Sequence, residues 1–279
     1  VIASPTYPLD IYPAHHLAKK YGAQLIYEVH DLWPLSPIEL GGMSPHHPYI
    51  VLMQMAENYC YKHSDYVVSI LPCAKEHMVE HGMKPDKFVC IPNGIVKEDW
   101  EQPMPEELPY EDLLSQFKKE GYFLIGYAGA HGIANALDSF VEAGALLKDK
   151  KIKLVMVGQG PERARLKQKI VDMGLRDVVE SLEAVGRNEV PALLEQMDAL
   201  YVGLQRQPLF RFGVSPNKLM DYMMAAKPVI FAIDAGNDMV KDAQCGVSIP
   251  PEDSKAIAKA AIKLSELPQT KLARMGQNG

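Results

Sequence analysis

The segment from Ser215 to Asp221 places a cation and a carboxylate three residues apart at the start of an expected helix. Ser215 is predicted to be the N-cap and Pro216 the first helical residue, where the missing N–H of proline costs nothing. The amides of the first turn, from Asn217 onward, then have no partner within the helix. With the helix dipole and the ammonium of Lys218, they predict a binding site for an anion, and phosphate is the anion that we expect.

Asp221 lies on the same helix face as Lys218, because residues three apart are neighbours on a helix. An ionised carboxylate only accepts hydrogen bonds, so it could take both hydroxyl groups of a ribose at this distance. The alternative is an ordinary surface ion pair between the two side chains, which would contribute only about 0.2–0.5 kcal/mol. The spacing alone leaves both interpretations open.

The expected helix is followed by a turn at Ala226-Lys227-Pro228 and by the apolar run Val229-Ile230-Phe231-Ala232. Loop, helix, turn and buried strand form one α/β unit. In this arrangement the segment resembles the nucleotide-sugar site of glycosyltransferase family 4, the retaining enzymes of the GT-B fold.

In that family the second carboxylate of a Glu-x7-Glu motif binds the donor ribose, and this position falls on Asp221. The first carboxylate, which holds the transferred sugar, falls on Gly213. In this departure the chain resembles a subset of bacterial envelope and capsule transferases that carry Ser-Pro-x-Lys before the retained acid. The resemblance implies that backbone groups or other side chains contact the sugar.

Short apolar runs alternate with helical patterns along the chain, which is typical of parallel sheets covered by helices. Four runs predict strands of a first domain: Val1 to Ala3, Gln24 to Val29, Tyr66 to Leu71 and Lys87 to Ile91. Six runs predict a second sheet: Tyr122 to Ala128, Ile152 to Val157, Val178 to Leu182, Ala199 to Leu204, Val229 to Ile233 and Gly246 to Ile249. With the resemblance, they predict an α/β protein of the GT-B fold, with two Rossmann-like, doubly wound domains, the N-terminal one incomplete.

We expect a partial, acceptor-side domain over residues 1–97, a linker over 98–121 and a nucleotide-sugar-binding domain over 122–279. Three prolines among acidic residues, Pro103, Pro105 and Pro109, mark the linker. The chain opens at Val1 on a strand already under way, and it lacks an initiating methionine. We therefore expect it to be truncated at its start, and the resemblance implies that its end is clipped as well.

Ligands of open α/β sheets bind at the carboxyl ends of the strands, so the loops there hold the next candidates. Gly129 follows the first strand of the second domain, and its backbone could approach a phosphate closely. His131 in the same loop could reach the sugar or the diphosphate. A tight turn without any ligand is the alternative interpretation.

The next two loops carry Gly158, Gly160 and Arg187. Arg163 stands where a dinucleotide fingerprint requires a third glycine, so that interpretation fails. The loop is instead similar to the Gly-x-Gly-Pro turn of the family, and the resemblance places both glycines at the donor. Arg187 could stack on the base or only cap a surface turn.

His30 directly follows the strand predicted over Gln24 to Val29. The family has a histidine at this position that faces the transferred sugar, so the resemblance implies this role for His30. A purely structural histidine is the alternative.

No metal site is predicted. The pairs His15-His16 and His46-His47 lack the i, i+4 spacing of a helical metal site, and no two aspartates stand two positions apart. A GT-B enzyme neutralises the leaving diphosphate with helix dipoles and cations in place of a metal. We expect no cofactor besides the nucleoside diphosphate sugar, which is the donor substrate.

Charge and cysteine content limit the partners and the compartment. The net charge of −6 gives no sign of the basic surface that nucleic-acid binding requires. The four cysteines form no CxxC pair, which favours a reducing cytoplasm over a disulfide framework. No apolar run approaches the roughly 18–20 residues of a membrane span, so we expect only peripheral contact at the inner face of a membrane.

The resemblance implies a retaining transferase that moves a sugar from a nucleoside diphosphate sugar, UDP-linked in our prediction, to a glycan or lipid-linked acceptor in polysaccharide biosynthesis. Lys218 and His30 are its candidate catalytic residues, and the truncated chain itself could be inactive. A GT-B-type sugar-nucleotide 2-epimerase and a non-catalytic nucleotide-sugar-binding module are the two alternatives.

Overall fold

The computed structural model describes residues 1–4, 7–101 and 109–279. The chain divides into two compact units, and each is discontinuous in sequence. The first unit consists of Val1–Asn93, Gln207–Ser215 and Ala235–Asn237, and the second of Gly94–Arg206, Pro216–Asp234 and Asp238–Gly279. The first unit thus includes two segments from the C-terminal half of the chain, which the sequence did not predict.

The first unit contains a sheet of four parallel strands in the order β1-β2-β3-β4. The strands are β1 Ile2–Ala3, β2 Ile26–Val29, β3 Tyr66–Ser69 and β4 Phe88–Cys90. The helices are α1 Ile11–Tyr21, α2 Leu35–Glu39, α3 Pro48–His63 and α4 Lys75–Glu80. The four predicted strands are therefore confirmed, each within a few residues of its expected bounds.

Local signals set the ends of these helices. Gly22 ends α1 in the left-handed conformation at φ 59°, where glycine has no steric penalty. Helix α3 begins with Pro48, and the Tyr49 amide donates to the His47 ring at 3.2 Å. These signals hold α1 and α3 in place over a core that includes Ile11, Tyr27, Tyr61 and Val67.

The second unit contains a sheet of six parallel strands in the order β10-β9-β8-β5-β6-β7. The strands are β5 Phe123–Ala128, β6 Ile152–Val157, β7 Val179–Leu182, β8 Ala199–Gly203, β9 Val229–Ala232 and β10 Gly246–Ser248. Every residue of β6, β8 and β9 is buried, as expected of strands covered on both faces. The predicted doubly wound sheet is confirmed, and its strand order reverses direction between β5 and β8.

Eight helices cover this sheet within the described residues. They are α5 Glu111–Lys119, α6 Leu137–Ala143, α7 Arg163–Asp172, α8 Val190–Glu195, α9 Asn217–Met224, α10 Met239–Ala243, α11 Ser254–Ser265 and α12 Gln269–Gln277. Aromatic and aliphatic side chains of sheet and helices form one core, in which the rings of Phe140 and Tyr201 stack at 4.4 Å. None of the helices in the described part of the chain combines the length and the apolarity that a membrane span needs.

The predicted linker over 98–121 is only partly a connection. Residues 102–108 lie outside the described residues, but Glu111–Lys119 forms α5. Leu114 and Phe117 of this helix are buried, so α5 packs as part of the second unit. Sequence reasoning missed the helix because the acidic and proline-rich residues before it obscured its short apolar periodicity.

The start of α9 also differs from the prediction. Pro216 occupies the N-cap position with ψ 122°, so it is extended and the helix begins at Asn217. Ser215 does not cap the helix, because its hydroxyl accepts a hydrogen bond from the Asn93 amide at 2.9 Å. The Asn93 side chain in turn donates to the Ser215 carbonyl at 2.6 Å. A partner 122 residues away along the chain thus replaces the local cap.

Tyr222 fastens α9 to the end of β5. Its hydroxyl accepts from the Ala128 amide at 2.9 Å and lies 3.2 Å from the Ala128 carbonyl, to which it donates. The side chain is buried, so no water is available to replace these partners.

We expect Tyr222→Phe to lower the free energy of unfolding by about 1–3 kcal/mol, because the Ala128 amide would lose its partner in a buried place. Urea denaturation followed by circular dichroism measures this change. Tyr66→Phe, at a tyrosine that is 43% exposed, is the control and should stay within about 0.5 kcal/mol of the wild type. Equal stability of the two variants would show that the hydrogen bonds between Tyr222 and Ala128 do not stabilise the fold.

Candidate functional site

The candidate site lies in the second unit at the carboxyl ends of β5 and β8. Adjacent strands there continue in opposite directions around the sheet, which opens a crevice where ligands of such sheets bind. The loop after β5 contains Gly129 and His131, and α9 follows β8 in the chain. The site is therefore the place to which the sequence assigned the donor.

Lys218, in the first turn of α9, reaches the end of β5. Its ammonium donates to the Asn135 side-chain oxygen and, at 3.1 Å, to the Tyr127 hydroxyl. It also lies 4.7 Å from the centre of the Tyr127 ring. Burial lowers the pKa of Lys218 to about 8, because desolvation disfavours the charged form. The group is therefore mostly charged at neutral pH, although its hydrogen-bond partners in the described part of the chain, Tyr127 and Asn135, are neutral.

Gly129 makes room for this lysine. A Cβ at position 129 would stand 3.4 Å from the Lys218 Cε and 3.4 Å from the Tyr127 hydroxyl. The residue also has φ +153°, which side chains rarely adopt. The absence of a side chain at Gly129 is therefore explained by Lys218, and a direct contact between Gly129 and a phosphate stays a prediction.

Asp221 lies one turn further along α9 and is only 8% exposed. Its Oδ2 accepts from Arg187 Nη1 at 2.9 Å. Its Oδ1 is buried and has no hydrogen-bond partner among the described residues. A buried carboxylate oxygen without a partner is costly, so this atom has the capacity to accept a hydrogen bond from a ligand.

Arg187 follows β7, and its side chain is 64% exposed. From the sequence we considered base stacking or a surface cap for Arg187. Its hydrogen bond to Asp221 was not expected in either case. The structure therefore brings Arg187 to the ribose candidate across 34 residues of sequence. Contact between Arg187 and a base stays a prediction.

His131 is completely buried, which was not expected for a donor ligand. Neither ring nitrogen has a hydrogen-bond partner in the described residues. Burial, together with the charges of Arg163 and Lys218, lowers the pKa of His131 to about 4, so the ring is neutral at physiological pH. The predicted contact between His131 and a donor is untested and would require the loop to open.

Gly158 and Gly160 pack the second loop beneath the first. A Cβ on Gly158 would lie 1.9 Å from the Gly129 carbonyl oxygen, and one on Gly160 would lie 2.5 Å from the His131 carbonyl oxygen. Both residues have φ near +153°. Close approach of two backbones explains both glycines, and their contact with the donor stays a prediction.

Two further candidates are exposed. Asn217 is the first residue of α9, at the end where the amides lack intrahelical partners. His30 follows β2 in the first unit, where its ring lies 3.6 Å from the Glu28 carboxylate with 53% of the side chain exposed. The structure thus brings Lys218, Gly129 and Asn217 to one helix end, while His30 belongs to the other unit.

Gly213 occupies the position of the family's first carboxylate, and the first unit has no space there for a side chain. A Cβ would meet Pro72 Cδ at 2.5 Å and Asn237 Oδ1 at 3.1 Å, and φ is +99°. The Asn237 side chain meanwhile accepts from the Val214 amide at 2.8 Å and donates to the Val214 carbonyl at 3.0 Å. The departure from the motif is therefore built into the local packing.

Sequence reasoning missed three residues that shape the site: Tyr127, Asn135 and Tyr222. They lie at the end of β5, in a short helical turn after it and on α9, and all three hydrogen-bond to the site elements. Tyr127 donates to the Ala130 carbonyl at 2.6 Å and so holds the loop that faces α9. The sequence showed only that each tyrosine brings a hydroxyl group into an otherwise apolar stretch. A hydroxyl group in such a place needs a hydrogen-bond partner, but the sequence does not show which residue provides it.

Solved structures of the GT-B fold share this architecture. HepE from Anabaena, solved in complex with UDP, matches with a TM-score of 0.75 at 17% identity over 99% of this chain and 72% of its own. Sucrose-phosphate synthase from Thermosynechococcus elongatus matches with a TM-score of 0.70 at 18% identity over 99% of this chain and 67% of its own. At these identities the likeness establishes the fold: α/β with two parallel-sheet units.

Family models identify the chain more closely. Residues 111–279 match the model of glycosyl transferases group 1, and residues 1–94 match a glycosyl transferase 4-like domain. The chain belongs to the glycosyl transferases group 1 family. It is also 22% identical over 158 residues to alpha-D-kanosaminyltransferase of Streptomyces kanamyceticus, which covers 56% of this chain and 39% of that protein. The chain therefore spans only about two fifths of this relative's length.

We expect Gly158→Ala to destabilise the second unit by about 1–3 kcal/mol or more, because the backbone is strained for alanine and the Gly129 carbonyl would have to move. Gly132→Ala in the neighbouring loop is the matched control, since a Cβ there meets nothing closer than 3.8 Å. Thermal unfolding of the two variants checks the difference. A Gly158→Ala protein as stable as Gly132→Ala would show that the two loops do not pack in this way.

Proposed function

We propose that this chain binds a nucleoside diphosphate sugar, UDP-linked, and that the protein transfers the sugar with retention to a glycan or lipid-linked acceptor. The observation that carries the proposal is the buried, unpartnered Oδ1 of Asp221, one turn from the ammonium of Lys218 on α9. A cation and an acceptor at this spacing complement a diphosphate and the ribose next to it. The UDP bound in the HepE structure supports UDP as the nucleotide.

The transfer step breaks the bond between the anomeric carbon and the diphosphate oxygen and forms one from that carbon to the acceptor hydroxyl oxygen, whose proton passes to the departing diphosphate. Negative charge grows on the leaving group as its bond breaks. Lys218 and the first amides of α9 stabilise this charge, and they do so most strongly when the bond is broken. The ammonium is already held by Tyr127 and Asn135, so little reorganisation accompanies the reaction. This transfer chemistry needs no metal ion and no acid or base from a side chain. A role of His30 at the sugar stays a prediction.

Asp221 fixes the position of the donor by binding the ribose hydroxyls. Oδ1 is ready to accept one of them, and Oδ2 is held by Arg187. The Arg187 side chain is 64% exposed, and a second ribose hydroxyl would compete with it for Oδ2. Donor binding would then exchange one partner of a buried carboxylate for another.

Cytoplasmic location with peripheral contact at a membrane is part of the proposal, because a lipid-linked acceptor would be met there. The two alternatives are separated by one assay with a radiolabelled donor and candidate acceptors. A transferase releases UDP when acceptor is added, an epimerase converts the donor without acceptor, and a binding module does neither. The absent carboxylate at Gly213 is the feature that favours the binding module.

We expect Lys218→Ala to weaken UDP binding roughly tenfold or more, since a hydrogen bond to a charged group contributes about 1.5–3 kcal/mol. The same variant should bind uridine like the wild type, because uridine lacks the diphosphate. Asp221→Asn should instead weaken UDP and uridine by similar factors. Isothermal titration measures the affinity of each variant and of the wild type for both ligands, and Lys263→Ala, at an exposed lysine of α11, is the control. Unchanged UDP affinity in Lys218→Ala would refute the proposed site.

UDP binding should also fall as the pH rises through about 8, where the Lys218 ammonium loses its proton. The ammonium is mostly protonated at pH 7 and half protonated at about pH 8, so the affinity should change little between about pH 6.5 and 7, above the second phosphate ionisation. Titrations across this range with wild type and Lys218→Ala test the assignment. The variant should lack the decline near pH 8, and the same decline in both proteins would assign it to another group.

A further inference from the structure

Two histidines and a buried carboxylate meet in the first unit, away from any role assigned above. His77 lies in α4 and His81 directly follows it, four residues further on, while Glu57 lies in α3. We propose that Glu57, His77 and His81 bind a divalent transition metal ion of the zinc type. The site was missed in the sequence because only the adjacent histidine pairs were weighed, although His77 and His81 have the i, i+4 spacing that places two imidazoles on one helix face.

The three side chains are close enough to share one ion. Their donor atoms all lie within 4.8 Å of one another. The Glu57 Oε1 and His77 Nε2 atoms are 3.8 Å apart. In a tetrahedral zinc site with bonds of about 2.0–2.2 Å, neighbouring donor atoms are roughly 3.4 Å apart. Small rotations of the two rings therefore complete the geometry.

His77 has an atom in need of a partner. Its Nε2 is buried and makes no hydrogen bond within the described residues, and 12% of the side chain is exposed. A buried polar atom without a partner is unfavourable in the interior of a protein. Coordination of a metal ion would satisfy it.

His81 is already set in the form that a ligand requires. Its Nδ1 lies 2.8 Å from the His77 carbonyl oxygen. A carbonyl only accepts, so Nδ1 carries the hydrogen and Nε2 keeps a free lone pair. Metal-binding histidines commonly donate their second N–H to a backbone carbonyl in this way.

Glu57 supplies the negative charge and has its own support. The residue is 1% exposed, Tyr61 donates to Oε1 at 2.9 Å, and Gln54 donates to Oε2 at 2.7 Å. A buried carboxylate needs a compensating positive charge, and a metal ion provides it. The alternative is a simple ion pair with a protonated His77. Two imidazoles and one carboxylate favour zinc-like ions over Mg²⁺ or Ca²⁺, and His81 is exposed enough for water to be the fourth ligand.

The ion would brace a segment that joins the first unit from far along the chain. The Phe212 ring lies 5.2 Å from the His77 ring, and the Cys73 amide donates to the Phe212 carbonyl at 2.9 Å. Fixing His77 therefore fixes the surface on which Gln207–Ser215 packs. The three ligands belong to the first unit, and Lys218 and Asp221 belong to the second. The role that we assign to the ion is structural.

The test uses the tag-free chain, stripped with a chelator and then incubated with ZnCl₂ or MgCl₂. After gel filtration we expect about one zinc per chain by elemental analysis and a higher unfolding temperature, with no such change for magnesium. Co²⁺ in place of zinc should give the visible absorption of a four-coordinate site. Absence of retained zinc, or an equal shift with magnesium, would overturn the proposal.

Variants locate the ion. His81→Gln, at a half-buried position after a short helix, should lose the retained zinc, the thermal shift and the cobalt spectrum, and His77→Gln should do the same. Tyr61→Phe should keep the site but weaken zinc binding roughly tenfold, as loss of a supporting hydrogen bond does elsewhere. His46→Gln, at an exposed histidine of the same unit, is the control. Zinc retained equally by folded His81→Gln and the control would disprove the assignment, with folding checked by circular dichroism.

Discussion

The arrangement of the second unit depends on holding one ammonium group, that of Lys218, partly out of water at the carboxyl end of β5. Desolvation opposes the charge, and it lowers the pKa to about 8. The charge is tolerated because a hydroxyl, an amide oxygen and an aromatic face surround it. Tyr127 supplies the hydroxyl and the aromatic face, and it also hydrogen-bonds to the loop after β5. Tyr222 connects α9 to the end of the same strand. Strand, loop and helix are therefore fixed by the need to stabilise this one cation.

The two carboxylate positions of the motif have different physical surroundings. At Asp221 the side chain is buried on α9 and its carboxylate accepts a hydrogen bond from Arg187. At Gly213 the backbone has φ +99° and Pro72 occupies the space of a side chain. An acidic residue there would require both a new backbone conformation and movement of Pro72. The absence of the first carboxylate is therefore a property of the local fold, and whatever holds the sugar must do so from other positions.

Strands were predictable from this sequence because a buried parallel strand is a continuous apolar run, as in Ile152–Val157, whose bounds agree fully. The helix that carries Lys218 and Asp221 was also predictable from local sequence signals. Its first residue was not, because the Ser215 hydroxyl accepts a hydrogen bond from the Asn93 amide. The partners of the site residues come from 34 to 94 positions away, as with Arg187 on Asp221 and Tyr222 on Ala128. Local periodicity carries no information about such distant pairs, and a glycine looks the same whether it faces a phosphate or, like Gly158, another backbone.

Among the buried side chains with polar atoms that lack a hydrogen-bond partner in the described residues, Asp221, His77 and His131 differ in their chemistry. Asp221 Oδ1 belongs to a carboxylate and His77 Nε2 faces one, so a hydroxyl donor or a metal ion relieves an electrostatic cost in each case. His131 differs, because its pKa of about 4 leaves a neutral ring, in which one donor and one acceptor lack partners at about 1–3 kcal/mol each. A Cβ on Gly158 would come within 3.2 Å of the His131 Nε2, so the second loop packs closely on this ring. A buried atom without a partner therefore indicates a binding site most directly when it belongs to a carboxylate or faces one, as at Asp221 and His77.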